Sequence, residues 1–147
     1  MKHLISNKLI AAFAGLAFVL CSCSTIAKFD QYAYSQTTSL KVDAINMMGH
    51  AGDKYDQHAA QVTQLQTSLS KMFEYEKNRP KNDISQKMWT ILIDSTGNLY
   101  GGFIKRWQKE GTLDTAFIKA SQDLVGQSFD QISQLESGKI KPSQVSN

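Results

Sequence analysis

The chain has 147 residues, two cysteines, two prolines and 41% apolar residues, which leaves room for one small domain and excludes a multidomain enzyme. Of its 16 basic and 13 acidic side chains, Lys2 and Lys8 are the only charges before Lys28, so the remainder carries 14 and 13. An excess of one positive charge with no clustered basic face argues against nucleic acid as a partner.

Met1 to Lys8 forms a short basic head, and Leu9 to Leu20 an uncharged apolar run. A run of about 12 residues is too short for a spanning helix, which needs about 20, and has the length of a secretory h-region. Leu20-Cys21-Ser22-Cys23 follows and resembles the lipobox of bacterial lipoproteins: an aliphatic residue at −3, small residues at −2 and −1, then the cysteine. The resemblance covers residues 1–24. It implies that a diacylglycerol alkylates the Cys23 thiol, that the lipoprotein signal peptidase cuts between Ser22 and Cys23, and that the freed amine takes a fatty acyl chain. Cys21 is the poorer candidate for the modified residue, because Leu20 would then stand at −1 where a small side chain is needed. Cys21 at −2 departs from the usual Ala, Ser, Thr or Val. An ordinary small-x-small cleavage site at Thr25-Ile26-Ala27, releasing a soluble protein, and an uncleaved anchor are the competing readings.

On this resemblance residues 1–22 are a lipoprotein signal peptide, and two or three chains on Cys23, at about 0.8 kcal/mol per buried methylene, make a stable anchor. Ser24 stands where an Asp would signal inner-membrane retention, so the expected location is the outer membrane, with the domain facing the periplasm or the cell surface. Cys21 leaves with the leader and Cys23 carries lipid. A disulfide, a thiolate metal site and a cysteine nucleophile are then excluded together.

Residues 23–38 read as the lipidated cysteine and a Ser, Thr and Gln-rich tether running into the first helix, 39–138 as a helical domain, and 139–147, with Pro142, as a flexible tail. Phe29, Ala33, Leu40, Ala44, Met47 and Met48 make a narrow helical stripe, broken at Gly49-His50-Ala51-Gly52-Asp53. From Asp53 to Asn78, Tyr55, Ala59, Val62, Leu65, Leu69, Met72 and Phe73 share one face until Pro80 enforces a stop. These are two antiparallel helices joined by a glycine turn.

Residues 84–110 support two readings. Met88 to Ile93 and Leu99 to Ile104 flank a Ser-Thr-Gly-Asn turn, so a β-hairpin over 88–105 is the main alternative. Helical spacing of Ile84, Met88, Ile91 and Leu92, and of Leu99, Phe103, Arg106 and Trp107, favours two helices broken at Gly97. Gly101-Gly102 costs about 1 kcal/mol per glycine inside a helix, which marks a place where another element approaches closely. Residues 112–137 form the clearest helix, with Thr112 as N-cap and Gly138 at its end. With Leu124 taken as zero on the wheel, Leu113, Phe117, Ile118, Ala120, Val125, Phe129, Ile132 and Leu135 fall with it in one half-cylinder. The fold expected is all-α, a small antiparallel bundle of four to five helices.

Few residues offer chemistry. His50, Asp53, Asp56 and His58 are the nearest thing to a ligand cluster, but Asp53 reads as a helix cap and His50 as a turn residue, so no metal is expected. His58 falls inside the apolar stripe and reads as a buried imidazole bonded to a neighbouring helix. Glu76 shares that face about 27 Å away along the axis, too far for an acid–base pair, and reads as the exposed end of the stripe. Ser68-Leu69-Ser70-Lys71 matches the Ser-x-x-Lys pattern of penicillin-recognising enzymes by letters, without that family's other motifs or its length. Lys77-Asn78-Arg79-Pro80-Lys81 reads as a solvated basic turn. Arg106 and Trp107 are the candidate partner-facing patch. No catalytic residue and no cofactor beyond the lipid on Cys23 is expected. The reading is a membrane-anchored protein whose helical domain binds a protein partner or an envelope component. The alternative is a periplasmic small-ligand-binding domain, or a weak hydrolase, with a pocket near His58.

Overall fold

The computed structural model describes residues 29–145; Ser22 and Cys23 lie outside them. Among the described residues five α-helices follow one another: α1 (Gln31–Gly49), α2 (Tyr55–Lys77), α3 (Asp83–Ile93), α4 (Tyr100–Glu110) and α5 (Thr115–Glu136). No strand occurs among the described residues. The span 88–105 is two helices around a turn rather than a hairpin. Asp94 stops α3, and its carboxylate accepts from both the backbone N and the hydroxyl of Thr96 at 2.8 Å. These bonds hold the Asp94 carboxyl below the usual carboxylate range.

α1, α2, α3 and α5 run alternately up and down, and α4 packs at one end against α3 and α2. The start of α1 meets the end of α2 through Tyr75 Oη, which donates to Asp30 at 2.6 Å. α1 packs most extensively on α5, antiparallel to it, with Lys41 paired to Asp130 at 2.6 Å and Gln122 donating to the Ile45 carbonyl at 2.8 Å. The molecule therefore has two poles. One gathers the start of α1, the ends of α2 and α5 and the start of α3. The other gathers the α1–α2 turn, α4 and the start of α5.

α1 begins at Gln31, capped by Asp30 Oδ1, which accepts from Ala33 N at 3.0 Å. Residues 31–38 are thus part of the bundle, with Ala33 and Thr37 buried. α5 begins later than its sequence suggests, because Leu113 is tied by its N–H to the Ala51 carbonyl at 2.8 Å and Asp114, not Thr112, is the N-cap. Asp114 accepts from the amides of Ala116 and Phe117. The chain after α5 turns back through Lys139, whose N–H donates to Gln134, into a short 3-10 turn at Pro142–Gln144.

The core is aromatic at its centre. Trp89 meets Phe129 edge-on at 5.8 Å, Trp107 meets Tyr55 edge-on at 5.4 Å, and both indoles are fully buried. Val62, Leu65, Leu69 and Met72 of α2 are buried as their spacing requires. On α5 the buried face is Ile118, Ser121, Val125, Phe129, Ile132 and Leu135, while Leu124 is 46% exposed. That face lies within the expected half-cylinder, toward its Ile118–Phe129 side, so Leu124 near the other side is left in solvent. The glycine pair is a close approach: a Cβ on Gly101 would meet the carbonyl of Ile93 and stand 2.6 Å from the carbonyl of Asp94, and one on Gly102 would meet the carbonyl of Gly97.

Candidate functional site

Two polar clusters occupy the opposite poles, and an apolar cleft lies between them on the flank of the bundle.

The first cluster centres on Arg79, in the connector that follows α2. Its Nη1 donates to Glu76 at 2.9 Å and to Glu136 at 2.6 Å, and its Nε faces Asp30 at 3.7 Å. Asn82 donates from its amide to the Glu76 carboxylate and to the Glu76 carbonyl, and Ser85 Oγ donates to Glu136 at 2.7 Å. Glu76 is therefore fully buried, not an exposed stripe end. The starts of α1 and α3 and the end of α5 close over it, and its cation lies beyond the helix stop, where helical spacing gives no sign of it. Burial first, and the Glu136 carboxylate second, push the Glu76 carboxyl above its ordinary value. Glu76 Oε1 is buried without a hydrogen-bond partner. Asp30 is shifted the other way, lowered by the Tyr75 hydroxyl and then by the Ala33 amide. Arg79 is thus a structural cation rather than part of a solvated basic turn. Within the cluster Glu76, Asn82, Ser85 and Glu136 are all buried, while the Asp30 carboxylate is partly exposed.

The second cluster lies at the α1–α2 turn. His50 opens a 3-10 turn (His50–Gly52), Asp53 follows it, and His58 sits in the first turn of α2. Asp53 Oδ2 stands 3.3 Å from His58 Nε2 and 4.0 Å from His50 Nδ1. The two imidazoles stack with centroids 4.7 Å apart and planes 23° from parallel. His58 is only partly buried, and its partner is the carboxylate just before its own helix, not a neighbouring helix. Asp53 does not cap α2, whose N-cap is Lys54 without a side-chain bond. Asp56 is exposed and is not one of the residues whose donor atoms converge.

The backbone of this turn is held from α4 and the α4–α5 loop. Trp107 Nε1 donates to the Asp53 carbonyl at 3.0 Å, Tyr55 N to the Gly111 carbonyl at 2.9 Å, and Leu113 N to the Ala51 carbonyl. The Trp107 ring also lies 5.7 Å from that of His58. Arg106 and Trp107 consequently do not share a partner-facing patch. Trp107 is fully buried; Arg106 is exposed, lies 4.1 Å over the Phe117 ring and pairs with Glu110 at 2.9 Å.

On the flank, Met88, Ile91, Leu99 and Leu124 line a cleft of about 330 Å³ between α3 and α5, with Val145 of the returning tail at its edge. Ile91, 59% exposed, and Leu124 are the large apolar side chains that α3 and α5 leave in solvent there. No helix among the described residues is long and apolar enough to cross a membrane. Comparison of the chain with protein-family models, with curated proteins and with solved structures finds no match.

Proposed function

We propose that the protein is a lipid-anchored outer-membrane lipoprotein, cut between Ser22 and Cys23 and acylated on Cys23, whose helical bundle binds a protein partner or an envelope component. The observation that carries this reading is the order of the leader: Lys2 and Lys8, the apolar run Leu9 to Leu20, then Leu20-Cys21-Ser22-Cys23. The α3–α5 cleft adds a binding surface, since Met88, Ile91, Leu99 and Leu124 offer contiguous apolar area beside the polar side chains of Gln127, Ser128 and Gln131. Cys23→Ala is the test. The parent chain is expected in the membrane fraction with a diacylglycerol mass on a peptide that begins at Cys23, and the variant as an unmodified, uncleaved precursor. A parent chain without lipid on Cys23 defeats the reading.

A second reading, a periplasmic small-ligand-binding domain or weak hydrolase, is favoured by the Asp53 carboxylate 3.3 Å from His58 Nε2. That separation is close to the reach of an acid–base pair. Loss of hydrolytic activity in His58→Gln, with the fold retained, would support it.

A further inference from the structure

We propose that His50, Asp53 and His58 form a divalent-metal site for ions of the zinc class. One donor atom from each of the three residues lies within 4.8 Å of the other two. Ligands on a tetrahedral zinc ion, with bonds of about 2.0–2.2 Å, stand about 3.4 Å apart. The Asp53–His58 separation of 3.3 Å already has that value, and the His50 nitrogen at 4.0 Å is within a small side-chain rotation of it. The His50 side chain is 55% exposed, which leaves it free to make that movement.

Hydrogen bonding accounts for only part of the arrangement. One imidazole satisfies the near Asp53 oxygen, yet a second is stacked on it and directs Nδ1 toward the same oxygen from beyond hydrogen-bond range. A cation between them would engage all three groups at once. The segment from His50 to His58 is also held in place before any ion arrives. Asp53 N donates to the His50 carbonyl at 2.9 Å, and the bonds from Trp107, Tyr55 and Leu113 fix both sides of the turn. Donors carried on a backbone fixed by hydrogen bonds lose little freedom when a ligand binds.

The donor set selects the ion. Two imidazole nitrogens and one carboxylate oxygen suit Zn²⁺, Ni²⁺ and Cu²⁺, whereas Mg²⁺ and Ca²⁺ take oxygen ligands almost throughout. Three protein ligands leave one tetrahedral position for water. The site does not depend on the anchor, because none of its residues lies in the leader.

The test uses the full chain in detergent, without a histidine tag, carrying Cys21→Ser and Cys23→Ser so that thiols do not compete for metal. Titration calorimetry with zinc chloride is expected to give one ion per chain, and the melting temperature is expected to rise with zinc concentration, because the ion binds the folded state. Magnesium chloride is expected to leave the melting temperature unchanged. His50→Ala and Asp53→Asn alter exposed side chains and keep the fold; each is expected to weaken zinc binding by about tenfold or more, since each removes a direct ligand. The proposal is overturned if the chain takes up no zinc, if both variants bind zinc as tightly as the parent, or if magnesium raises the melting temperature as far as zinc does.

Discussion

Trp107 Nε1 donates to the carbonyl of Asp53 at 3.0 Å, across 54 residues of chain, and so ties α4 to the turn between α1 and α2. Trp107→Phe removes that donor and part of the buried ring while leaving Tyr55 an aromatic neighbour. The hydrogen bond and the cavity together are expected to cost about 2 kcal/mol. Urea unfolding followed by the fluorescence of Trp89, which is buried elsewhere in the core, measures it.

Arg79 lies against two buried carboxylates, Glu76 and Glu136. Arg79→Met keeps the aliphatic stem but leaves both acids without their cation, and a buried ion pair broken from one side costs about 3–5 kcal/mol. The variant is expected to melt well below the parent at neutral pH. Acidification should narrow the gap, as the Glu76 carboxyl takes up its proton.

Glu76→Gln has the opposite sign. The folded-state value of Glu76 is raised above 4.5, so the folded chain holds this proton more tightly than the unfolded chain does. Its contribution to stability is full below the unfolded value and is lost as pH rises through the folded value. Above the folded value the parent carries a buried charge that the amide does not, and Gln still offers an acceptor to Asn82 and Arg79. The variant is expected to be more stable than the parent by about 1 kcal/mol once pH has passed that value. That advantage should vanish below about pH 4, where both chains carry a neutral group. Denaturation midpoints across this range give the curve.

Gly101→Ala and Gly102→Ala each place a methyl group against backbone: Ile93 and Asp94 in the first case, Gly97 in the second. Backbone carbonyls at the end of α3 cannot swing away as a side-chain tip would, so each variant is expected to lose about 2–4 kcal/mol. Ala at Gly52, where a Cβ meets nothing within 4 Å, is the control and should leave the melting temperature almost unchanged.

The helices were legible because their signal is local. Val62, Leu65, Leu69 and Met72 recur at helical spacing and all four are buried, and a proline three residues past the end of α2 marks its stop. Which side of the apolar half-cylinder of α5 is covered was not legible. Its apolar residues span half the cylinder, and the partner that decides which part is covered, α1, presents small side chains such as Ala33, Thr37 and Ala44. On α5, Ser121 and Ser133 are buried and Leu124 is left outside.

The polar clusters were hidden for a different reason. Glu76 meets Arg79 and Asn82 after a helix has ended, and Glu136 comes from the far end of the chain, so no periodicity links them. His50, Asp53 and His58 stand close in sequence and could be singled out as the nearest approach to a ligand set. Their convergence depends on a turn that is shaped by Trp107, Gly111 and Leu113, residues with no sequence relation to it.

α1 is 19 residues long, a rod of about 28 Å. It carries Asp30 at one end and His50 at the other. Seven residue steps lie between Cys23 and Asp30, a contour of at most about 25 Å. In a chain acylated at Cys23, the tether would keep the Arg79 pole within about 25 Å of the bilayer, with the imidazoles a rod's length from that pole.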